Sequence, residues 1–239
     1  MLSGAEIGII LLLVALVVIV PRAQKRAEAF VNERALGSKS LARIQQTHRV
    51  VPCDSPQVAE VFDAFRSRLR LRVPELRALT VERAGLNAAA LADGAVVLWA
   101  GLVEAVDDGS VPQDEFAGLV AHEIAHIELG HGRQRVVQEL IAGPLVGRLS
   151  LMMGGHVGRA LVGRGMDLLR KGASREAELE ADRVAVRLLR EAGFDPGGLE
   201  RFLGRLSQLA PGQSKWAELL STHPHLEARR ARLREEQAR

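Results

Sequence analysis

The stretch "VAHEIAHIELGH", from Val120 to His131, decides how the rest of the chain is interpreted. It holds His122 and His126 four residues apart, and on a helix this spacing brings both imidazoles to one face, close enough to grip one metal ion. Glu123 stands beside the first histidine, where it can reach a metal-bound water from the side. This H-E-x-x-H order is found in zinc hydrolases. For the stretch alone, an amphipathic helix that carries histidines by chance remains the alternative.

The residues around the motif predict where its helix begins and ends. Ser110 is a suitable N-cap, and Gln113 stands at the position of its partner in a capping box. Gly130 marks the end of the helix. Two histidines and a glutamate among apolar neighbours would be costly to bury without polar partners. The motif therefore predicts further polar residues from elsewhere in the chain.

A catalytic zinc ion needs a third protein ligand, and the chain offers two candidates. The three-histidine pattern would need Gly at Leu129 and His at Gly132, so His131 lies off the ligand face. Glu178, in "EAELEAD", is the better candidate, since it shares a helix face with Asp182. Asp182 would then accept the outer N–H of a liganding histidine. A solvated acidic helix face is the alternative interpretation of this stretch.

Three motifs in order, "HEIAHIELGH", "SREAELEAD" and "STHPHLEAR", resemble the metallopeptidase family of the CAAX prenyl proteases and the bacterial HtpX-type peptidases. These enzymes are zinc-dependent gluzincins, and the resemblance covers roughly residues 47–235. It implies one zinc ion per chain, a zincin-like domain, and a peptide or protein substrate. It also implies roles for named residues: His122, His126 and Glu178 as zinc ligands, Glu123 as general base, and Asp182 as the aspartate that follows the ligand glutamate.

The same resemblance brings His223 close to the active site, with Arg229 after it. The oxyanion formed during peptide hydrolysis needs a hydrogen-bond donor. Tyrosine could serve, but this chain contains none. His223 is therefore predicted to be a catalytic donor, with Arg229 the next candidate. A helix-cap neighbour fixed by Pro224 is the alternative for His223.

Composition and periodicity predict a mainly α fold with a small β-sheet, of the α+β class. Hydrophobic residues make up 47% of the chain but aromatic residues only 3%, so the core must be mainly aliphatic. The apolar run from Ala95 to Trp99 predicts a strand, which we expect at a sheet edge beside the cleft. A peptide could bind there as an added strand. The predicted substrate-binding residues are Ala95, Val96, Val97, Leu98, Asn87 and Arg229.

The N-terminus predicts a membrane anchor over residues 1–21. The unbroken apolar run from Ile7 to Val20, extended back to Leu2, approaches the about 17–25 residues of a membrane span. A secretory signal peptide is the alternative, although the stretch lacks a positive n-region. Residues 22–46 predict a charged helical linker, and residues 47–239 the metallopeptidase domain.

Basic residues follow the predicted anchor directly, at Arg22, Lys25 and Arg26. The positive-inside rule then predicts a single-pass protein of the inner membrane with its catalytic domain in the cytoplasm. A domain facing the periplasm or exterior is the alternative. Residues 136–172 are apolar and rich in glycine, which favours a helical hairpin over the site or at the membrane surface.

Charge and cysteine usage exclude other classes of protein. The net charge is only +3, and arginine alternates with glutamate along most of the chain, so no nucleic-acid partner is predicted. The single cysteine, Cys53, excludes an intramolecular disulfide. The sequence thus predicts a membrane-anchored zinc endopeptidase for unfolded or membrane-associated proteins. An idle zinc-stabilised binding or scaffold module is the alternative, although such a module would not need Glu123.

Overall fold

The computed structural model describes residues 22, 31–72, 75–138, 140, 155–208 and 216–237. The chain forms two compact units: residues 33–130 with 175–239, and residues 1–32 with 131–174. The first unit contains every candidate site residue. The predicted anchor, residues 1–21, lies outside the described residues. Within the described part of the chain, no helix is long and apolar enough to cross a membrane.

The described elements confirm a mainly helical protein with a small mixed sheet. The helices are α1 (Glu33–Gln45), α2 (Pro56–Arg68), α3 (Ala100–Asp107), α4 (Gln113–Leu129), α5 (Gly155–Ala192), α6 (Gly198–Ser207), α7 (Ala217–Thr222) and α8 (Leu226–Gln237). The strands are β1 (Val50–Pro52), β2 (Arg77–Val81), β3 (Ala88–Ala90) and β4 (Ala95–Trp99).

The sheet has the strand order β1-β2-β4-β3. Strand β2 pairs antiparallel with β1 and parallel with β4, and β3 pairs antiparallel with β4. The prediction that Ala95–Trp99 forms a sheet edge is therefore wrong, because β4 has a partner on each side. An apolar run without alternation is typical of a strand covered on both faces. The open edge beside β4 is the short strand β3.

This position removes four predicted substrate contacts. The side chains at positions 95–98 of β4 are fully buried, each with 0% of its surface exposed. Their main-chain groups bond to β2 and β3. A peptide therefore cannot add to β4, and the predicted contacts at Ala95, Val96, Val97 and Leu98 are corrected to structural positions in the core.

The two faces of the sheet are covered by different helices. Val96 and Leu98 face the main core, which also contains Phe62 of α2 and Phe116 of α4. The opposite face carries Ala95, Val97 and Trp99, against which Leu41 and Ile44 of α1 pack. Helix α1 lies within the predicted linker, and it is helical as expected. Because it packs against the sheet, the compact unit reaches back to residue 33.

Helix α4 carries the motif, and its two ends differ in how well the sequence predicted them. Pro112 occupies the N-cap position without a side-chain hydrogen bond. Ser110 is not the cap, because its N–H donates to the Asp108 carboxylate at 2.8 Å in the preceding turn. The other end agrees with the prediction, since Gly130 closes the helix in the left-handed region with φ 70°. His131 therefore follows the end of this helix.

Contacts with α6 fix the position of α4. Gly118 lies so close to α6 that a Cβ atom there would stand 2.4 Å from the backbone nitrogen of Leu199. Near the start of α4, the buried Glu115 accepts two hydrogen bonds from Arg205 of α6, at 2.7 and 3.1 Å. Main-chain contact and a bidentate ion pair together hold the motif helix in place.

The second acidic motif lies inside a continuous helix, not at the start of one. Helix α5 runs from Gly155 to Ala192, so "SREAELEAD" stands well inside it. Glu178 and Asp182 are buried, which excludes the solvated acidic face for these two residues. Part of the predicted hairpin, residues 141–154, lies outside the described residues.

Candidate active site

Four segments of the fold place ionisable side chains at one buried location. Helix α4 supplies His122, Glu123 and His126, and helix α5 supplies Glu178 and Asp182. His223 stands at the C-cap of α7, and Arg229 lies in the first turn of α8. His126 and His223 are partly exposed, and the other five residues are buried: His122, Glu123, Glu178, Asp182 and Arg229. All seven residues together are called the cluster.

The three predicted metal ligands converge on one point. The Nε2 atoms of His122 and His126 are 3.0 Å apart. The Glu178 carboxylate lies 3.3 Å from Nε2 of His122 and 3.4 Å from Nε2 of His126. Ligand atoms about 2.0–2.1 Å from a tetrahedral zinc ion lie roughly 3.3 Å from one another. The separations in this structure therefore fit a single zinc ion.

His223 belongs to the same cluster. Its Nδ1 atom is 3.1 Å from the Glu178 carboxylate and 3.3 Å from Nε2 of His122. Its other ring nitrogen lies 3.3 Å from Oε1 of Glu123. One nitrogen or oxygen from each of His122, His126, Glu178 and His223 lies within 4.8 Å of the others. His223 therefore reaches both the ligand atoms and Glu123.

Glu123 has two oxygens in different environments. Oε2 accepts a hydrogen bond from the backbone N–H of Ala90, in strand β3, at 2.8 Å. Oε1 is buried and makes no hydrogen bond among the described residues, although Nε2 of His223 lies 3.3 Å away. A buried carboxylate oxygen without a hydrogen bond is rare in native proteins, and it lowers the stability of the fold. Its orientation toward the cluster suits an atom that accepts a proton during a reaction.

Asp182 and Arg229 form a second layer behind the ligands. Nδ1 of His122 lies 2.9 Å from Oδ1 of Asp182, which leaves Nε2 to face the ligand cluster. Arg229 donates to both oxygens of Asp182, at 2.8 Å from Nε and 2.7 Å from Nη2. Its third nitrogen, Nη1, lies 2.9 Å from Oε2 of Glu178.

Two predicted substrate contacts are engaged inside the protein instead. Arg229 has 1% of its surface exposed, and its guanidinium faces Asp182 and Glu178. Asn87 is 3% exposed, and its side-chain oxygen accepts from the N–H of Ala88 at 3.0 Å. Asn87 also accepts from Trp99 N–H through its backbone carbonyl, so it fixes the start of β3 against β4. The structure thus differs from the prediction at both residues.

Burial and neighbouring charges shift the pKa values of the cluster strongly. Burial and Arg229 oppose protonation of His122, but Asp182 and Glu178 outweigh them and raise its pKa to about 9. Burial and the neighbouring His122 lower the pKa of His126 to about 3. Burial alone would raise the pKa of Glu178, but hydrogen bonds from the three histidines hold it well below its usual range. Divergent shifts of this kind are typical of functional sites.

The charge of the cluster also fits a divalent metal ion. Metal ligation requires neutral imidazoles. Three buried carboxylates, at Glu123, Glu178 and Asp182, then face the single guanidinium of Arg229. The two negative charges that remain match one divalent cation. Imidazole nitrogens with one carboxylate oxygen are ligands that zinc accepts readily. The residues present therefore fit zinc.

The sequence did not point to Ala90, the residue that holds Glu123 in place. A run of alanines carries no chemical signal, and the contact uses only the backbone. The "ADG" turn between the alanine run and Ala95 was the available signal, because it predicts a hairpin that pairs the two segments. That pairing puts β4 inside the sheet and leaves Ala88–Ala90 as its edge.

Comparisons with known proteins agree with this geometry. The model of Peptidase family M48 matches residues 53–237. The Beta-barrel assembly-enhancing protease of Escherichia coli (strain K12) is 32% identical over 155 residues, 61% of this chain and 31% of that protein. The Metalloprotease LoiP of the same organism is 29% identical over 149 residues, 58% of this chain and 54% of that protein.

A third relative matches more of both chains. The Protease HtpX homolog of Salinibacter ruber (strain DSM 13855 / M31) is 27% identical over 231 residues, 83% of this chain and 80% of that protein. The chain spans only about a third of the Beta-barrel assembly-enhancing protease and about half of Metalloprotease LoiP. All three relatives are named as proteases, and LoiP is named as a metalloprotease.

Proposed function

This chain belongs to Peptidase family M48, and on that premise we propose that it is a zinc-dependent endopeptidase that hydrolyses unfolded or membrane-associated proteins. One observation carries the proposal. The predicted ligand atoms of His122, His126 and Glu178 converge at one point, and the buried Oε1 of Glu123, which makes no hydrogen bond among the described residues, belongs to the same cluster. A site that only stabilised the fold would not need a buried carboxylate aimed at the ion.

The roles of the residues follow from their positions. His122, His126 and Glu178 would hold the ion, leaving room for a further ligand. When bound, zinc supplies Lewis acidity, which polarises a peptide carbonyl and makes a nearby water more acidic. Glu123 takes the proton from that water on Oε1 and afterwards delivers it to the leaving amine. The N–H of Ala90 keeps the carboxylate oriented through both transfers.

His223 is proposed to donate a hydrogen bond to the oxyanion. Its Nε2 atom already lies 3.3 Å from the Glu123 carboxylate. The His223→Ala chain is expected to lose about 10²–10³-fold in kcat, as when one oxyanion donor is removed elsewhere. KM and zinc content should change little, because the three proposed ligands remain. Steady-state kinetics and metal analysis would measure these quantities.

His225→Asn is the matched control for this substitution. His225 adopts φ 68°, and asparagine tolerates this left-handed conformation better than most residues. The control should therefore retain wild-type kcat. A large loss of zinc in the His223→Ala chain would instead identify His223 as a metal ligand. Unchanged kcat in that chain would remove its proposed role.

The substrate is proposed to add as an extended strand along β3. The N–H of Leu91 donates to the carbonyl of Ala95, and the carbonyl of Asn87 accepts from the N–H of Trp99. The odd-numbered residues from 87 to 91 therefore bond to β4. Main-chain groups alternate along a strand, so those of Ala88 and Ala90 point away from β4. Their N–H groups donate to Asn87 and Glu123, which leaves their carbonyl oxygens for a substrate strand. Peptides bound this way must be extended. The proposed substrates are therefore unfolded proteins or flexible segments.

Hydrolysis of an unfolded protein such as casein by the full-length chain tests this function. Cleavage should stop when zinc is chelated and return when zinc is added. Alternatively, the chain could be an idle zinc-stabilised binding or scaffold module. A preparation that holds one zinc ion per chain and cleaves no unfolded protein would contradict the peptidase proposal and favour that module.

We further propose that residues 1–21 anchor the protein in the inner membrane with the catalytic domain in the cytoplasm. The apolar run followed by basic residues supports this arrangement. A topology reporter fused after Arg239 should report the cytoplasm, and the full-length chain should fractionate with the membrane. A reporter signal from the periplasm would reverse the orientation, and a fully soluble chain would refute the anchor.

A further inference from the structure

Arg229 makes three contacts with carboxylates in the interior of the protein. Nε and Nη2 donate to the two oxygens of Asp182, and Nη1 lies 2.9 Å from Oε2 of Glu178. A planar guanidinium can hold two carboxylates in a fixed relative position, whereas an ammonium group acts as a point charge. Arg229 therefore bridges the carboxylate behind His122 and the carboxylate proposed to bind zinc.

Burial argues that this bridge is a permanent part of the site. Only 1% of the Arg229 surface is exposed, so its two carboxylate partners are needed to offset the cost of desolvating the charge. The pKa of Asp182 is lowered: burial alone would raise it, but the Arg229 charge and the hydrogen bonds from His122 and Arg229 outweigh that effect. A guanidinium enclosed in this way does not reach a substrate.

The two contacts have separate consequences for the site. Arg229 occupies both oxygens of Asp182, so Asp182 cannot swing forward and bind the ion itself. Oδ1 still accepts from Nδ1 of His122, which fixes the ring orientation and directs Nε2 toward the ion. The contact of Nη1 with Glu178 is an ion pair without hydrogen-bond geometry, and it attracts this carboxylate toward the guanidinium. Both effects arrange the ligands before the ion arrives.

We propose that Arg229 is a positioning residue, which sets the geometry of the zinc ligands through Asp182 and Glu178 and makes no contact with the substrate. The proposal rests on the proposed zinc site. It concerns zinc affinity, which can be measured without any substrate. A wild-type chain that binds zinc tightly and cleaves nothing would thus refute the peptidase activity and still allow this test.

The test is the Arg229→Lys substitution in the full-length chain, with zinc affinity measured by competition with a chromophoric chelator. Lysine keeps the positive charge but cannot form the two parallel bonds to Asp182 and the third contact with Glu178. Zinc affinity is expected to fall about 10–100-fold, as when groups behind a metal ligand are removed elsewhere. KM for a peptide, measured at saturating zinc, should stay within about twofold of wild type.

Arg230→Lys is the matched control, one residue further along the same helix. Arg230 is half-buried and pairs with Glu200 of α6, at 3.1 Å, outside the site. Its zinc affinity should equal that of the wild type. Two results would overturn the proposal: an unchanged zinc affinity in the Arg229→Lys chain, or a KM raised tenfold at saturating zinc, which would mean substrate contact.

A second set of variants covers the case in which Arg229→Lys does not fold. Asp182→Asn with Arg229→Gln removes one negative and one positive charge together, so the net charge of the buried cluster does not change and the chain should fold, as monitored by circular dichroism. This chain should also bind zinc more weakly than the wild type, and wild-type affinity would contradict the proposal. If the Arg229→Lys and Asp182→Asn chains each fold, the double variant Arg229→Lys/Asp182→Asn should lose little more zinc affinity than Asp182→Asn alone. If the fold-loss in zinc affinity of the double variant equalled the product of the two single losses, Arg229 would act independently of Asp182, which contradicts the proposal.

Discussion

The Glu123→Gln chain is expected to bind one zinc ion and to lose about 10²–10⁴-fold in kcat for peptide hydrolysis, the range for a general base. Glutamine has nearly the same shape, and its amide oxygen can still accept the N–H of Ala90. It cannot take a proton from water, because an amide is not basic at neutral pH. The expected change is therefore in kcat, with metal content and KM close to those of the wild type.

Glu128→Gln provides a control for the same chemical change on the same helix. Glu128 lies near the end of α4 and accepts from the N–H of Arg72 at 2.7 Å, outside the cluster. Casein cleavage by this variant should match that of the wild type. If Glu123→Gln bound zinc and cleaved casein at the wild-type rate, Glu123 would not be the base.

Removal of zinc should lower the melting temperature substantially. A ligand at about 1,000 times its dissociation constant stabilises the folded state by about 4 kcal/mol. For a domain of 150–250 residues, about 1 kcal/mol corresponds to roughly 2–4 °C in Tm. We therefore expect the chelated chain to melt roughly 8–16 °C below the zinc-loaded chain. Without the ion, the buried carboxylates of Glu123, Glu178 and Asp182 are only partly compensated, which acts in the same direction.

Glu178→Gln identifies the source of this effect. The variant lacks a proposed ligand, so its Tm should respond to zinc much less than that of the wild type. Glu176→Gln, two residues earlier on the exposed side of α5, should retain the full response. Differential scanning calorimetry with zinc and with chelator would measure all three chains. Equal Tm values for the wild type under both conditions would refute a site that couples metal binding to stability.

The local parts of the site were predictable because they depend on helical spacing. His122 and His126, and likewise Glu178 and Asp182, are four residues apart, and a helix turns each pair to one face wherever it lies in the fold. That the two faces meet could not be read from spacing. The ordered motifs and the family resemblance supplied that step, and the distances in the structure agree with it.

The order of strands was not predictable from the apolar run of β4. Five consecutive apolar residues indicate a buried strand but do not identify its neighbours, since strand pairing is a long-range property. The short alanine strand β3 has little intrinsic preference for a sheet and is held by its hairpin with β4. The run alone could not show that Ala95–Trp99 lies between β2 and β3 and not at an edge.

The burial of Arg229 was predictable from its place on the helix. It stands in an arginine-rich stretch, "EARRARLREE", where most arginines point to solvent or pair at the surface. However, Leu226 precedes Arg229 by three residues, and Leu233 follows it by four, so all three share one helix face. Leu233 is 1% exposed, and Arg229 is carried inward with it. The neighbouring Arg230 lies off this face, and it is half-buried.

The short edge strand limits how firmly a peptide can be held. Strand β3 has three residues, and the N–H groups of Ala88 and Ala90 already bond to Asn87 and Glu123. Bonds to their two carbonyl oxygens, each about 0.5–1.5 kcal/mol net, would give about 1–3 kcal/mol. Alone, this corresponds to a dissociation constant of about 1 mM or weaker. Such an enzyme would release its fragments after each cut, so we expect distributive cleavage with many partial products, in contrast to the stepwise digestion of a retained chain.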